Sequence, residues 1–222
     1  MSFDLGVLWE YRVFLLRGAA KTLLLALLAQ SLALVLAVPL ALARLGRPGW
    51  TRRLAGGYVE FVRGTPALVQ LFWVFYCIPL FTGFDWSPLT GAVVALGLNV
   101  AAYDAEAFRA GIQSVHPGQV QAARALGLSR WGTFAEVVLP QATRFVLPAL
   151  LNNFIGLLLF TSIASTIGVD ELTYAGGKIN TATFQSVVVF TGVGALYLAM
   201  SAGASHGIRR LERARIRREQ GA

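Results

Sequence analysis

Long apolar stretches, separated by short polar connections, dominate this chain. A helix needs roughly 18 to 20 apolar residues to cross the hydrocarbon core of a bilayer. Membrane-spanning strands instead alternate apolar and polar residues in segments of about 10, a pattern that is absent here. The pattern therefore predicts an all-α membrane protein with about five transmembrane helices. The five uncharged stretches are 22–43, 64–84, 86–103, 145–169 and 179–208.

Two polar segments flank the first stretch. Residues 1–21 predict an amphipathic N-terminal lead-in, and residues 50–63 predict an interfacial segment with Trp50 and Tyr58 at headgroup depth. Pro66 stands close to the predicted start of the second span, where its missing N–H costs little.

The longest polar interruption, the loop 116–140, predicts two short helices joined by a turn. Residues 119–126 are rich in helix formers. Gly127 can take the left-handed conformation that ends a helix. Ser129 can cap the next helix, which Pro140 is then expected to stop or kink. We expect a cytoplasmic helix–turn–helix.

This loop has two possible uses on physical grounds. The small side chains of Ala122, Ala123 and Ala125 would let a partner approach closely. Trp131, Phe134 and Val137 repeat at spacings of three and form an apolar stripe. The stripe can dock on another protein, or it can pack back on the spans of this chain.

Composition supports a membrane protein. The chain is 56% hydrophobic and 14% charged, with a mean hydropathy of +0.62, whereas soluble domains carry about 25% charged residues. A net charge of +8 would suggest nucleic acid binding in a soluble protein. Here the arginines follow the first span, lie around the central loop and follow the last span, so the charge indicates which ends face the cytoplasm.

Positive charge is retained on the cytoplasmic side of membranes. With five spans, this rule predicts a cytoplasmic C-terminus and an N-terminus outside, against Arg12, Arg17 and Lys21 near the N-terminus. The basic tail, residues 209–222, is expected to lie on anionic lipid.

Several polar side chains occupy costly positions in the spans. Ionisable groups inside a membrane usually face the bundle interior or a water-filled path, so a substrate path is one hypothesis for them. The alternative is that Asp104 and Glu106 lie near the interface and pair with Arg109, and that the hydroxyls join helices. The candidate path residues are Asn99, Tyr103, Asp104, Glu106, Asn153, Thr161 and Ser162.

The sequence predicts neither enzyme activity nor a bound cofactor. Gly-Gly-Lys at 176–178 lacks the earlier Gly and the following Ser or Thr of a phosphate-binding loop. The two histidines, His116 and His206, are too far apart in sequence to suggest a metal site, and no nucleophile–base set is visible.

The loop resembles the signature of permease subunits of ABC importers. The matching residues are Gln121, Ala122, Ala123, Gly127, Leu139 and Pro140, with Val137 in the aliphatic place. Over about residues 18–213 the chain is similar to the polar-amino-acid branch (histidine, glutamine and arginine type). Its markers are YVEFVRGTP (58–66), AAYDAEAFRAGIQSV (101–115), ARALGLS (123–129), LPQA (139–142), TSIAS (161–165) and GVDEL (168–172).

The resemblance implies a transmembrane domain over 18–213 whose loop, including Trp131, docks on a cytoplasmic ATPase subunit. It also implies a second permease subunit, identical or different, an external substrate-binding protein, and ATP bound only by partners. A bacterial plasma (inner) membrane location follows. The sequence leaves open which amino acid is carried.

Two departures from the family pattern stand out. Gln121 replaces the usual Glu of the loop, and Leu159 and Phe160 replace a usual Lys-Asp pair before the TSIAS segment. The alternative to an ATP-driven importer is a gradient-driven secondary transporter or channel that uses Asp104 or Glu106. Such carriers commonly contain internal repeats, and none is visible here.

Overall fold

The chain is helical throughout its described part. A computed structural model describes residues 4–46 and 49–220, with side chains through residue 207. Over these residues the chain forms no strand, so the predicted all-α class is confirmed. In chain order the helices are α1 (Gly6–Glu10), α2 (Arg12–Leu45), α3 (Trp50–Arg63), α4 (Ala67–Thr82), α5 (Pro88–Gln113), α6 (Pro117–Ala125), α7 (Arg130–Ile167), α8 (Leu172–Thr183) and α9 (Ser186–Gln220).

Four of these helices are long and apolar enough to cross a membrane: α2, α5, α7 and the Ser186–Gly207 part of α9. A fifth candidate is the pair α3 and α4, which is bent by 109° at the break between its helices. Pro66 stands directly before the first residue of α4, close to the helix start as predicted. Four of the five predicted stretches therefore fall on continuous helices. The stretch 64–84 falls on α4, which counts as a candidate span only together with α3, the segment that was predicted to be interfacial.

The predicted span over 179–208 is wrong at its beginning. The chain breaks between α8 and α9 at Phe184, whose φ of 56° is left-handed. The Phe184 N–H donates to the Asn180 carbonyl at 2.8 Å, and the Ser186 hydroxyl donates to Asn180 Oδ1 at 2.8 Å. These two bonds end α8 and start α9, so residues 172–183 form a separate helix.

Pro140 does not stop the helix, so of the two predicted outcomes, a stop or a kink, the stop is wrong. The α7 helix runs through it, and Pro140 occupies the first turn of the regular segment Leu139–Phe160. A proline ring clashes with the carbonyl one turn back in a regular helix. The wider π turn at Thr133–Val138 comes directly before and loosens the backbone at that point.

The core lies where α2, α5 and α7 meet. Small side chains such as Ala26, Ala29 and Ala33 form a fully buried stripe on α2. A Cβ on Gly97 of α5 would lie 2.8 Å from Leu32 Cδ2, and a Cβ on Gly111 would lie 2.3 Å from Val146 Cγ2 of α7. Small residues allow such close approach of spanning helices, which associate by packing rather than by the hydrophobic effect.

Candidate functional site

Contacts between distant residues define two ends of the helix bundle. At one end, Arg44 of α2 and Arg109 of α5 both pair with Glu106. The α5 helix then leads directly into the loop. At the other end, Lys21 pairs with Asp170, and the Asp4 N–H donates to Gln185 Oε1 at 3.3 Å. The loop and the N-terminal residues therefore lie at opposite ends of the bundle.

The loop has the predicted helix–turn–helix structure. The imidazole of His116 caps α6 by accepting from the Gly118 N–H at 3.1 Å. Gly127 adopts the left-handed conformation, with φ at 87°. The Ser129 hydroxyl oxygen accepts from the Gly132 N–H at 3.0 Å and so caps α7. The two caps come from side-chain atoms that accept from nearby backbone N–H groups, and Gly127 takes the left-handed conformation because it has no Cβ.

The signature residues of the loop divide between its two faces. Gln121, Ala122 and Pro140 are exposed, as are Gly127 at the turn and Leu139. Ala123 is buried, which corrects the expectation that all three alanines meet a partner.

The predicted apolar stripe is also divided between buried and exposed side chains, and Val137 is partly buried. Phe134 packs back on the buried cluster of Val115, Val138 and Ala142. Trp131 contacts Phe134 with ring centroids 5.9 Å apart but stays 75% exposed. Leu126, which the sequence reasoning passed over, is 82% exposed at the turn. The loop is therefore held against the protein by Phe134, whereas Trp131 and Leu126 remain exposed on its surface.

Asp104 joins three helices. Its carboxylate, fully buried on α5, accepts from Gln30 Nε2 of α2 at 2.6 Å and from Asn153 Nδ2 of α7 at 2.9 Å. Gln30 Oε1 is also buried and has no partner among the described residues. The Asp104 side chain makes no pair with Arg109 in this arrangement; it acts as a hydrogen-bond acceptor between helices.

Asn99 supports the bend between α3 and α4. Its Nδ2 donates to Gln70 Oε1 at 2.9 Å. Gln70 Nε2 in turn donates to the Val62 carbonyl at 2.8 Å and to Thr65 Oγ1 at 2.6 Å. Because these acceptors lie on the turn itself, Asn99 and Gln70 satisfy backbone groups that the bend exposes.

Glu106 and Tyr103 keep some exposure near the loop end. Glu106 binds both Arg44 and Arg109, which confirms the predicted i,i+3 pair and adds a partner from α2. The Tyr103 ring is 37% exposed, and the Arg63 guanidinium carbon lies 5.4 Å from its centroid. Three arginines, Arg44, Arg63 and Arg109, therefore surround this part of α5 with positive charge.

Thr161 and Ser162 occupy a 3-10 turn at the far end of α7. Their hydroxyls donate to the Leu158 and Leu159 carbonyls, each at 2.7 Å. Thr161 is fully buried, and Ser162 is partly exposed. Leu159 and Phe160, which stand in place of a charged pair, are exposed and apolar. This end of α7 therefore offers hydroxyl oxygens and no charge.

A second polar junction, centred on Glu171, escaped the sequence reasoning. The Glu171 side chain caps α8, because its Oε1 accepts from the Tyr174 N–H at 2.8 Å. Tyr197 of α9 and Thr22 of α2 donate to Oε2 at 2.6 and 3.2 Å. Burial raises the pKa of the Glu171 carboxyl above its ordinary range, and the bond from Tyr197 works in the opposite direction. No local sequence pattern predicts this cluster, because Thr22 and Tyr197 lie 149 and 26 positions from Glu171 in the sequence.

The fold and the loop together define a class of protein. Residues 32–216 match the family of binding-protein-dependent transport system inner membrane components. Since the match covers most of the chain, this chain belongs to that family and is the multi-pass membrane component of an importer.

Two curated relatives resemble this chain over nearly their whole length. The octopine transport system permease protein OccM of Rhizobium radiobacter is 40% identical over 209 residues, covering 90% of this chain and 85% of that protein. The glutamine transport system permease protein GlnP of Escherichia coli (strain K12) is 37% identical over 215 residues, covering 96% of this chain and 98% of that protein.

Two solved structures also resemble this chain. A chain from the crystal structure of an amino acid ABC transporter with histidines superposes with a TM-score of 0.91 at 34% identity, covering 96% of this chain and 100% of that chain. The inward-facing MetNI methionine ABC transporter gives a TM-score of 0.79 at 22% identity, which is a likeness of fold.

These comparisons confirm the predicted resemblance and the permease role. They favour an importer that works with separate subunits over a gradient-driven carrier. In this family the chain is the permease component, and ATP hydrolysis belongs to another subunit.

Proposed function

We propose that this permease passes amino acids, or close derivatives of amino acids, across the membrane. Its relatives support this proposal, because they are permeases of glutamine and octopine transport systems. The structural neighbour from an amino acid ABC transporter supports it as well. An external substrate-binding protein delivers the substrate, and a second permease subunit, identical or different, completes the path.

The loop is the surface that docks on the ATPase subunits, which bind the ATP. The observation that carries this proposal is the exposure of Leu126 (82%) and Trp131 (75%) on the turn between α6 and α7. Exposed apolar side chains of this size at a loop are typical of protein contacts. Gln121, Ala122, Leu139 and Pro140 flank them on the same loop, while Gly127 shapes the turn and Ala123 anchors it.

The proposed docking implies an orientation of the chain. With the loop in the cytoplasm, the Arg44–Glu106–Arg109 cluster is cytoplasmic, and the N-terminus and α8 lie on the outer side. The C-terminus is then cytoplasmic, as the positive-inside rule predicts. The side chains of the basic tail, 209–222, lie outside the described residues.

The substrate path follows the polar residues of α5 and α7. Tyr103, Glu106, Asn153 and Ser162 keep exposed surface that a substrate can reach. Asn99, Asp104 and Thr161 are buried, and they hold the helices behind that surface. A path of this kind presents hydrogen-bonding groups in a region where water is scarce.

The docking proposal is tested by removing the exposed apolar groups of the turn. The double change Leu126→Ser and Trp131→Ser is compared with Leu80→Ser and Phe81→Ser, an apolar pair of similar exposure in α4. We expect the first variant to lose co-purification with the ATPase and ATP-dependent uptake in liposomes, and the second to keep both.

Folding of each variant is checked by its elution from size exclusion in detergent. Retained ATPase binding in the folded loop variant would contradict docking through this turn. Uptake driven by an ion gradient, without any ATPase, would contradict the ATP-driven mechanism as a whole.

A further inference from the structure

A phenylalanine stands exposed at the turn between α8 and α9, at the end of the bundle opposite the loop. Phe184 is 88% exposed, more than Leu126 or Trp131 on the loop. Apolar surface gains free energy when it is removed from water, and aromatic side chains are enriched where proteins contact one another. The exposure of this ring therefore favours an apolar surface from outside the chain.

The backbone at Phe184 has a conformation for which the other turns of this chain use glycine. Among the described residues φ is positive at four positions, and three of them are Gly83, Gly127 and Gly168. Phe184 is the fourth, with φ at 56° and ψ at 27°. A Cβ is unfavourable in this left-handed region, so the backbone of the turn does not explain the phenylalanine. A strained residue that the surrounding structure holds in place points to a use of its side chain.

Contacts on both sides hold the turn in a fixed position. Before it, the Asn180 carbonyl accepts from the Phe184 N–H at 2.8 Å. After it, Gln185 Oε1 accepts from the Asp4 N–H at 3.3 Å. One turn further along α9, Val189 is fully buried in the cluster that includes α1. A side chain on a rigid platform loses little freedom when it binds, which favours affinity.

The surroundings of the turn are polar, which distinguishes it from the lipid-facing surface of the spans. Thr181 and Ser186 on either side of Phe184 are exposed, as is the carboxylate-bearing Asp4 that contacts Gln185. Because a charged group is costly in hydrocarbon, the turn lies at the level of the headgroups or beyond them. Phenylalanine also lacks the polar group by which Tyr and Trp suit the headgroup region.

We infer that Phe184 is an anchor for the external substrate-binding protein, whose surface receives the ring in an apolar pocket. The turn lies on the outer side in the proposed orientation, so the cytoplasmic ATPase cannot reach it. The rigid backbone presents the ring in one position, and the strain at φ of 56° accompanies that presentation. The inference rests on the proposed function, which supplies both the orientation and the binding protein.

The test uses the whole importer, with its ATPase subunits, in lipid nanodiscs, where both faces are accessible. ATP hydrolysis is measured against the concentration of loaded binding protein. The probe is the binding protein that stimulates the unaltered importer, found by screening the amino acid binding proteins of the cell that makes this chain.

Three variants separate the ring from the fold. Phe184→Asn removes the ring and keeps a residue that tolerates the left-handed conformation, and Phe184→Tyr keeps the ring. Phe61→Asn is the matched control, since Phe61 is 68% exposed on α3, which packs against the parts of α2 and α5 near the loop end.

We expect Phe184→Asn to raise the half-saturating concentration of the binding protein by about tenfold, the effect of losing one aromatic anchor. Its maximal rate of hydrolysis should stay within about twofold of the unaltered importer, because the ring acts in docking only. Its melting temperature should be unchanged or higher, because the strain is relieved; a merely structural role predicts a lower one. Phe184→Tyr and Phe61→Asn should keep the half-saturating concentration within about threefold.

Three results would overturn the inference, and they are distinguishable. If no loaded binding protein stimulates the unaltered importer, the proposed function is wrong and the docking is wrong with it. If the unaltered importer is stimulated and Phe184→Asn has the same half-saturating concentration, the docking alone is wrong. If Phe184→Asn instead lowers hydrolysis equally at every concentration, including none, the ring acts in the membrane or between the two permease subunits.

Discussion

Tyr197 donates its hydroxyl to the buried Glu171 carboxylate over 2.6 Å and thereby joins the last spanning helix to the start of α8. The same carboxylate accepts from Thr22 at 3.2 Å, so one side chain connects three separate helices. The junction therefore sets the position of α8 against α2 and α9.

The Glu171 junction predicts a pH dependence of stability. Burial raises the pKa of Glu171 in the folded protein, so the folded state holds this proton more tightly than the unfolded chain does. The stability that Glu171 contributes is therefore fully present below the unfolded value of about 4.3 and is lost as pH rises through the folded pKa. Thermal unfolding in detergent from acidic to neutral pH should show this fall, and Glu171→Gln should abolish it.

Tyr197→Phe provides a second test of the same junction. It removes a hydrogen bond that lowers the pKa of Glu171, so the fall in stability should extend to higher pH than in the unaltered protein. Superimposable pH profiles for the unaltered protein and both variants would show that Glu171 does not titrate in a way that affects folding.

The Asp104 junction predicts different outcomes for two substitutions. Asp104→Ala leaves the Gln30 and Asn153 amides without their acceptor and should cost about 1–3 kcal/mol. Asp104→Asn keeps the volume. Its new N–H can donate to Gln30 Oε1, which is buried without a partner, once the Gln30 amide turns over. We expect this variant to lose less than about 1 kcal/mol, as measured by thermal unfolding in detergent; equal losses in both variants would contradict the junction.

Gly18 predicts a packing limit between α2 and α8. A Cβ at this position would lie 3.0 Å from Leu172 Cα and 3.2 Å from the Glu171 carbonyl oxygen. Since these are backbone atoms that cannot turn aside, Gly18→Ala should destabilise the fold by about 1–3 kcal/mol. Gly156→Ala in α7 is the control, because its Cβ would meet nothing within 4 Å; its melting temperature should be unchanged or higher.

Gly127 predicts a conformational requirement in the loop. With φ at 87°, Gly127→Ala should cost about 1–2 kcal/mol for a left-handed alanine and should weaken co-purification with the ATPase. Gly132→Ala is the comparison within the same loop, since a Cβ there has only ordinary contacts, with Ser129 Oγ at 3.4 Å. Equal ATPase binding by the two variants would mean that docking does not require the left-handed conformation at position 127.

Local chemistry accounts for the features that the sequence predicted correctly. The long uncharged stretches determine an all-helical membrane chain, because only helices and closed barrels satisfy the backbone groups away from water and the stretches lack the alternation of barrel strands. Gly127 and Ser129 determine the turn of the loop, because each acts on backbone groups only a few residues away. The Glu106–Arg109 pair likewise follows from the spacing of one helical turn.

Breaks inside apolar stretches were decided by tertiary structure. Residues 179–208 read as one span, yet the chain turns at Phe184 because Gly176 packs α8 against α9 and Asn180 caps the break. A π turn likewise comes directly before Pro140, and α7 continues where the proline was predicted to stop or kink the helix. A hydrophobic stretch specifies that a segment is buried in lipid or protein, but not where its backbone bends.

The meeting of polar groups was also left to the tertiary structure. The sequence singled out Asp104 and Asn153, but their bond, and the partnership with Gln30, depend on how α2, α5 and α7 pack. The same holds for Thr22, Glu171 and Tyr197. Helical periodicity determines the direction in which each side chain points around the axis of its own helix. Which residue it meets depends on the close approach of helices distant in sequence, which alanine and glycine permit.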